Sequence, residues 1–332
     1  MDAIGNNIVK TRKTKRNSTV ELLRIVFMLL IVMLHVYGHG MGDNMSAIYA
    51  WGCHSDMYIH LALFVLGKLG VTGFMFISGY YGMRFNLHRF AEMLFMLLFY
   101  AILTNDGTGR EQLLHPWDIW WFLSCYLFIF VMSPIISKGL ESIDKKQFTL
   151  ITACLLIYIY VGHFLSARNE HSLDLLLTIY IAGRYVKTHL TDKIRKVPGK
   201  ILGVMILLIL LVYILIPLFL AHTANYERWM SMWISNNNIF LLVISALLVV
   251  FAETKQTYNK IINYLSSSVL AVYLLTDNKK AMQLDTWLLP KLIDGIGYII
   301  IIGIFISCLI VDKIREYLFM AINCIYKKLY NK

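Results

Sequence analysis

The stretch that decides the fold is Val20-Glu21-Leu22-Leu23-Arg24-Ile25-Val26-Phe27-Met28-Leu29-Leu30-Ile31-Val32-Met33-Leu34-His35-Val36-Tyr37-Gly38. Apart from Glu21, Arg24 and His35 it is apolar, and an α-helix needs about 20 such residues to cross a bilayer core. A basic stretch precedes it, as in a signal peptide. The run is longer than a signal core of about 7–15 residues and no A-x-A site follows, so it reads as an uncleaved first helix. Nine further apolar segments lie at roughly 59–81, 88–104, 119–136, 148–165, 173–186, 201–221, 235–252, 261–276 and 292–311. The expected fold is therefore all-α, a polytopic membrane protein of about ten transmembrane helices. Composition agrees: hydrophobic residues make up 58% and charged residues 15% of the 332, where an ordinary soluble chain is about 25% charged. That balance excludes a soluble enzyme of usual composition, and it excludes disorder, whose signature is low hydrophobicity.

The net charge of +11 has two readings, nucleic-acid binding or the bias of basic residues to cytoplasmic loops. Distribution separates them. With a cytoplasmic N-terminus and ten helices, 23 of the 31 Lys and Arg fall in inside segments, six outside, and Arg24 and Lys68 within helices. The charge is a topology signal with both termini inside, and no nucleic-acid partner is expected. The chain divides into a basic cytoplasmic segment 1–17, one transmembrane domain 18–318 and a basic cytoplasmic tail 319–332. No internal repeat is visible, and the five cysteines show no framework spacing.

An ionisable residue inside a spanning helix is a functional hypothesis by default. Glu21 and Arg24 are i,i+3 neighbours. Arg24 and His35 are eleven residues apart, close to three turns, so they share a face about 16 Å apart along the axis. Alternatives are a snorkelling arginine and a hydrogen-bonded interhelical histidine. On one stripe, however, a fixed cation near the inner edge and an imidazole farther out suggest a route from a cytoplasmic anion to an outer acceptor. Histidine is also the side chain best suited to acid–base work near neutral pH. His39, four residues on, makes a metal pair conceivable, but without an H-E-x-x-H arrangement no metal is expected. Gly73 to Tyr81 reads as a close-packing segment, or as one in which Ser78 and Tyr80 line a cavity with Arg84 and Arg89 just beyond. Arginines there suit the phosphates of a nucleotide-like donor. Pro116, Trp117, Trp120 and Trp121 read as an aromatic belt, or, for Trp120 and Trp121, as an acceptor-side platform on which a sugar could stack.

These residues resemble the acyltransferase-3 family of bacterial integral-membrane O-acyltransferases. Arg24, ten intervening residues and His35 look like its first-helix Arg-x10-His motif. Phe76-Ile77-Ser78-Gly79-Tyr80 is similar to its Phe-x-x-Ser-Gly-Tyr segment. Trp121-Phe122 with Tyr126 and Pro134, Ser267-Ser268 through Val272-Tyr273-Leu274, and Asp312-Lys313-Ile314-Arg315 resemble its later segments. Two departures stand out. Thr276 occupies the place of a late supporting histidine, and the stretch from about 104 to 118 is short. The resemblance implies transfer of an acyl group, usually acetyl, from acyl-coenzyme A to a carbohydrate hydroxyl. Acceptors in the family include surface or secreted polysaccharide, lipopolysaccharide, peptidoglycan, glycolipids and antibiotics. Arg24 and His35 would be the catalytic pair. Glu21, Ser78, Tyr80, Arg84 and Arg89 would be donor-binding or supporting, and Trp120 and Trp121 acceptor-side. Acyl-coenzyme A would be a substrate, with no tightly bound cofactor, and the location the bacterial cytoplasmic membrane. His35 would act as general base or as transient acyl carrier. The rival from another class is a transporter or flippase for a small or lipid-linked substrate. A third reading, a non-catalytic assembly subunit, follows from Thr276.

Overall fold

A computed structural model describes residues 16–104, 120–166 and 168–330. Most of the basic segment 1–17, the short stretch after 104 with Arg110, Pro116 and Trp117, and the last two residues of the tail lie outside the described residues. Among those described, the secondary structure is helical, without strands.

The first helix, α1 (Ser18–Gly40), starts where the side chain of Asn17 accepts the Thr19 N–H at 3.0 Å and carries Glu21 in its first turn. Both features satisfy the amide-rich end of a helix. It ends at a turn with positive φ at Gly42 and Asp43. Next come α2 (Tyr58–Tyr81), α3 (Leu87–Thr104), α4 (Trp121–Ser142) and α5 (Lys145–Leu156). A π-turn, Ile157–Val161, extends α5 to Ser166. The next helix, α6 (Leu173–Tyr185), continues through a second π-turn, Val186–Leu190, to Arg195. Then follow α7 (Gly199–Leu220), α8 (Ile239–Thr254), α9 (Val269–Thr276, preceded by the helical turns Lys260–Leu265 and Ser266–Ser268), α10 (Lys279–Ile293) and α11 (Gly297–Tyr330).

Among the described residues, each of the ten apolar segments lies largely on helix. Among the described residues, seven helices are long and apolar enough to cross a membrane, while those at 239–254 and 260–276 are shorter. Two features differ from the expected boundaries. The polar helix α10 was not foreseen; it carries Lys279, Lys280, Gln283 and Asp285 and so lacks an apolar run. Helix α11 passes residue 318 without a break, so what is described of the tail continues that helix.

The centre of the bundle is α2, buried along most of its length. Its glycines set the spacing. Gly67 and Gly70 lie against Leu30, Leu34 and Phe27 of α1, and a Cβ on Gly70 would stand 2.5 Å from the Phe27 carbonyl oxygen. Gly79 of α2 and Gly183 of α6 meet backbone to backbone. Without a strong hydrophobic drive between helices in lipid, such small residues allow close van der Waals packing. The Ser78-Gly79-Tyr80 segment thus serves packing through its glycine.

Candidate functional site

The two ends of α1 carry different chemistry. At the end where α1 begins, a cavity of about 1020 Å³ is lined by Arg16, Glu21, Arg24, Ser78, Arg84 and Arg89, together with Glu92, Glu253 and Glu316. The carboxylates Glu253 and Glu316 are neutralised within the protein. Glu253 receives Lys187 Nζ at 2.6 Å and Arg195 at 3.0 Å. Glu316 receives Lys313 Nζ at 2.8 Å. By contrast, Arg16, Arg84 and Arg89 have no carboxylate partner among the described residues. Arg24 stands 3.8 Å from Glu21, within Coulombic range but beyond hydrogen-bond length, and its buried Nε has no hydrogen-bond partner. The cavity therefore offers unspent guanidinium groups, the donors that suit phosphate oxygens.

Local sequence explains this placement. Asn86 caps α3, accepting the N–H groups of His88 and Arg89 at 2.9 and 3.3 Å, which fixes Arg89 in the first turn. Gly82, at φ 75°, turns the chain out of α2 so that Arg84 reaches the mouth. Ser78 lines the cavity, but its hydroxyl donates to the Phe74 carbonyl at 3.2 Å. Tyr80 does not line it. Its ring is fully buried and its hydroxyl meets Thr191 and Glu253, with Lys187 over the ring face. It braces Glu253 from behind. The π-turn of α6 brings Lys187 and Thr191 to that junction.

At the far end of α1, His35 Nδ1 is 3.2 Å from Thr276 Oγ1. The threonine hydroxyl lies 2.9 Å from the Val272 carbonyl, which can only accept. When the hydroxyl donates to Val272, Oγ1 accepts from His35 Nδ1–H, and in that tautomer the imidazole lone pair lies on Nε2. His39 stacks on His35 with centroids 5.2 Å apart and planes at 14°. Its Nδ1 meets Asp285 at 3.0 Å and its Nε2 faces Asp277 at 3.7 Å. The two histidines thus stack instead of converging on a common ligand.

Beside them, Lys68 is buried midway along α2 and donates to both oxygens of Glu170 at 3.0 Å. Glu170 also accepts the Asn236 N–H at 2.8 Å. Burial works against this carboxylate's charge, but Lys68 and Asn236 outweigh it and hold Glu170 below the usual carboxylate range. Burial holds the neighbouring His171 below the usual imidazole range. Trp121 lies on His171 with centroids 4.7 Å apart. Trp120 is fully buried, its indole N–H without a hydrogen-bond partner, and it presents no face to a ligand.

The structure thus gathers Glu21, Arg24, Ser78, Arg84 and Arg89 around one cavity, places His35 and Trp121 toward the opposite end, and puts Tyr80 and Trp120 in the core. Sequence reasoning missed Thr276 as the partner of His35, the carboxylates Asp277 and Asp285 about His39, and the Glu253 junction. The available signal is Thr276 itself, a threonine where the family resemblance places a histidine. Asp285 pairs with a residue 246 positions away, and no local spacing announces that.

The acyltransferase-3 pattern, described as an acyltransferase domain, covers residues 17–311. Neither the curated proteins nor the solved structures yield a match.

Proposed function

Because the chain belongs to the acyltransferase-3 family of multi-pass membrane proteins, we propose that it transfers an acyl group, acetyl in the first instance, from acyl-coenzyme A to a hydroxyl of a cell-surface or secreted carbohydrate. In this reading it sits in the bacterial cytoplasmic membrane with about ten spanning helices and both termini in the cytoplasm. One observation carries the proposal. A single helix bears Arg24 in an arginine-rich cavity and, about three turns on, His35 with its Nδ1 against the Thr276 hydroxyl.

The arginines hold the donor's phosphates, and its extended pantetheine arm reaches along α1 toward His35. The acceptor oxygen attacks the thioester carbonyl carbon while Nε2 takes the hydroxyl proton. The tetrahedral intermediate collapses with cleavage of the C–S bond, and the leaving thiolate takes the proton back from His35. General base catalysis of this kind contributes typically about 10²–10⁴-fold. Glu21 restrains Arg24 electrostatically, Tyr80 braces the cavity wall through Glu253, and Trp121 with His171 supports the acceptor. The donor and the carbohydrate or glycolipid acceptor are both substrates, and no resident cofactor takes part in the scheme.

The test is radiolabelled acetyl-coenzyme A added to membranes containing the chain. Label is expected to move into the glycan fraction. Solute uptake with no transfer of label would establish a transporter instead.

A further inference from the structure

The arginine cavity and His35 are separated by rings. Phe74 and Tyr126 form part of the cavity wall, and the Arg24 guanidinium lies 5.9 Å from the Phe74 centroid. Behind them, outside the lining, stands Phe122. Its ring meets Phe74 edge-on at 5.9 Å, stacks on Tyr126 at 6.0 Å and meets Tyr273 edge-on at 5.8 Å. Tyr273 in turn lies 5.9 Å from His35. Phe122 and Tyr273 are each only 4% exposed. The roughly 16 Å between Arg24 and His35 along α1 is thus flanked by a continuous aromatic layer, with Phe122 at its centre.

We infer that Phe122 and Tyr273 form the acyl gate of this enzyme, a ring pair between the donor cavity and His35 that admits a short acyl thioester and selects against longer chains. The inference rests on the function proposed above. The pair sits in the first turn of α4 and one turn before Thr276. A ring displaced by a long chain therefore presses on the element that orients His35. On the α4 side Trp121 meets the Phe122 ring edge-on at 5.9 Å. Edge-to-face rings at these separations are mutually attractive, so the layer closes when nothing occupies it. A closed layer also keeps water from the thioester. Hydrolysis, in which water adds to the carbonyl carbon and the C–S bond breaks to give carboxylate and thiol, is suppressed until the acyl group reaches the acceptor.

The test uses native membranes, which hold the endogenous acceptor, and compares labelled acetyl- with hexanoyl-coenzyme A for transfer to glycan and for thiol release. The wild-type chain is expected to favour acetyl by about tenfold or more, the discrimination a confined apolar site achieves. Phe122→Ala should narrow that preference about tenfold and raise thiol release that is not matched by transfer. Phe122→Leu, which keeps the site apolar while removing the ring, carries the same expectation if the alanine variant is not inserted. Equal wild-type transfer of acetyl and hexanoyl overturns the gate with no variant needed. So does an active variant with unchanged chain preference and unchanged coupling. Failure of the parent reading looks different: the wild-type chain then transfers neither label.

Discussion

In the proposed mechanism Thr276 selects which nitrogen of His35 acts as the base. With its hydroxyl donating to Val272 it accepts Nδ1–H and leaves Nε2 as the base. The family resemblance places a histidine at this position, and read from sequence its absence suggests a lost support or a non-catalytic chain. The geometry requires only a hydrogen-bond acceptor at that point, and a hydroxyl meets the requirement. Thr276→Val removes the acceptor and leaves a buried N–H unpaired, a cost of about 1–3 kcal/mol. If the cost falls on the transition state, kcat should drop about 10–100-fold. Thr276→Ser should retain most activity. Steady-state kinetics on both variants checks this, and equal activity in Thr276→Val would remove Thr276 from the mechanism. Arg24 and His35 were legible as a pair because both lie on one helix, where spacing gives the shared face. Their partners were not, since Thr276 and Asp285 return from positions 241 and 246 residues away.

Among the elements, the contact of α1 with α2 places Arg24 and His35. Gly70 makes that contact possible, because a Cβ there would meet Phe27 O at 2.5 Å and Ile31 Cγ1 at 2.6 Å. Gly70→Ala should therefore lower stability by about 1–3 kcal/mol, as overpacking does, and push Arg24 and His35 out of register with α2. Gly203→Ala is the control, since a Cβ at Gly203 in α7 meets nothing within 4 Å. It should be neutral or slightly stabilising, as alanine is preferred within helices. Thermal unfolding in detergent distinguishes the two, and equal midpoints would show that the α1–α2 contact has slack. The long apolar helices were readable from hydropathy because lipid exposure demands continuous apolar runs. The helix α10 was not, since it carries lysines and Asp285 and packs Leu288, Leu289 and Leu292 inward. Trp120 shows the opposite failure. A tryptophan beside an apolar run reads as a membrane-edge residue, yet this one is buried in the core.

In the molecule as a whole, the two ends of one bundle carry different chemistry. Cationic side chains gather at the cavity, where Arg16, Arg24, Arg84 and Arg89 lie. His35, Thr276 and the Trp121–His171 pair lie toward the other end, and an aromatic layer stands between. In the proposed topology the arginine end faces the cytoplasm, the compartment that would supply acyl-coenzyme A. Donor and acceptor would then approach from opposite sides, with α1 spanning the distance. The most direct measurement uses sealed vesicles of known orientation carrying either the wild-type chain or His35→Gln at matched levels. Labelled acetyl-coenzyme A is added outside. The account predicts glycan labelling in inside-out wild-type vesicles, little in right-side-out ones, and a loss of about 10²–10⁴-fold in His35→Gln. Undiminished labelling by His35→Gln, or equal labelling in both orientations, would contradict it.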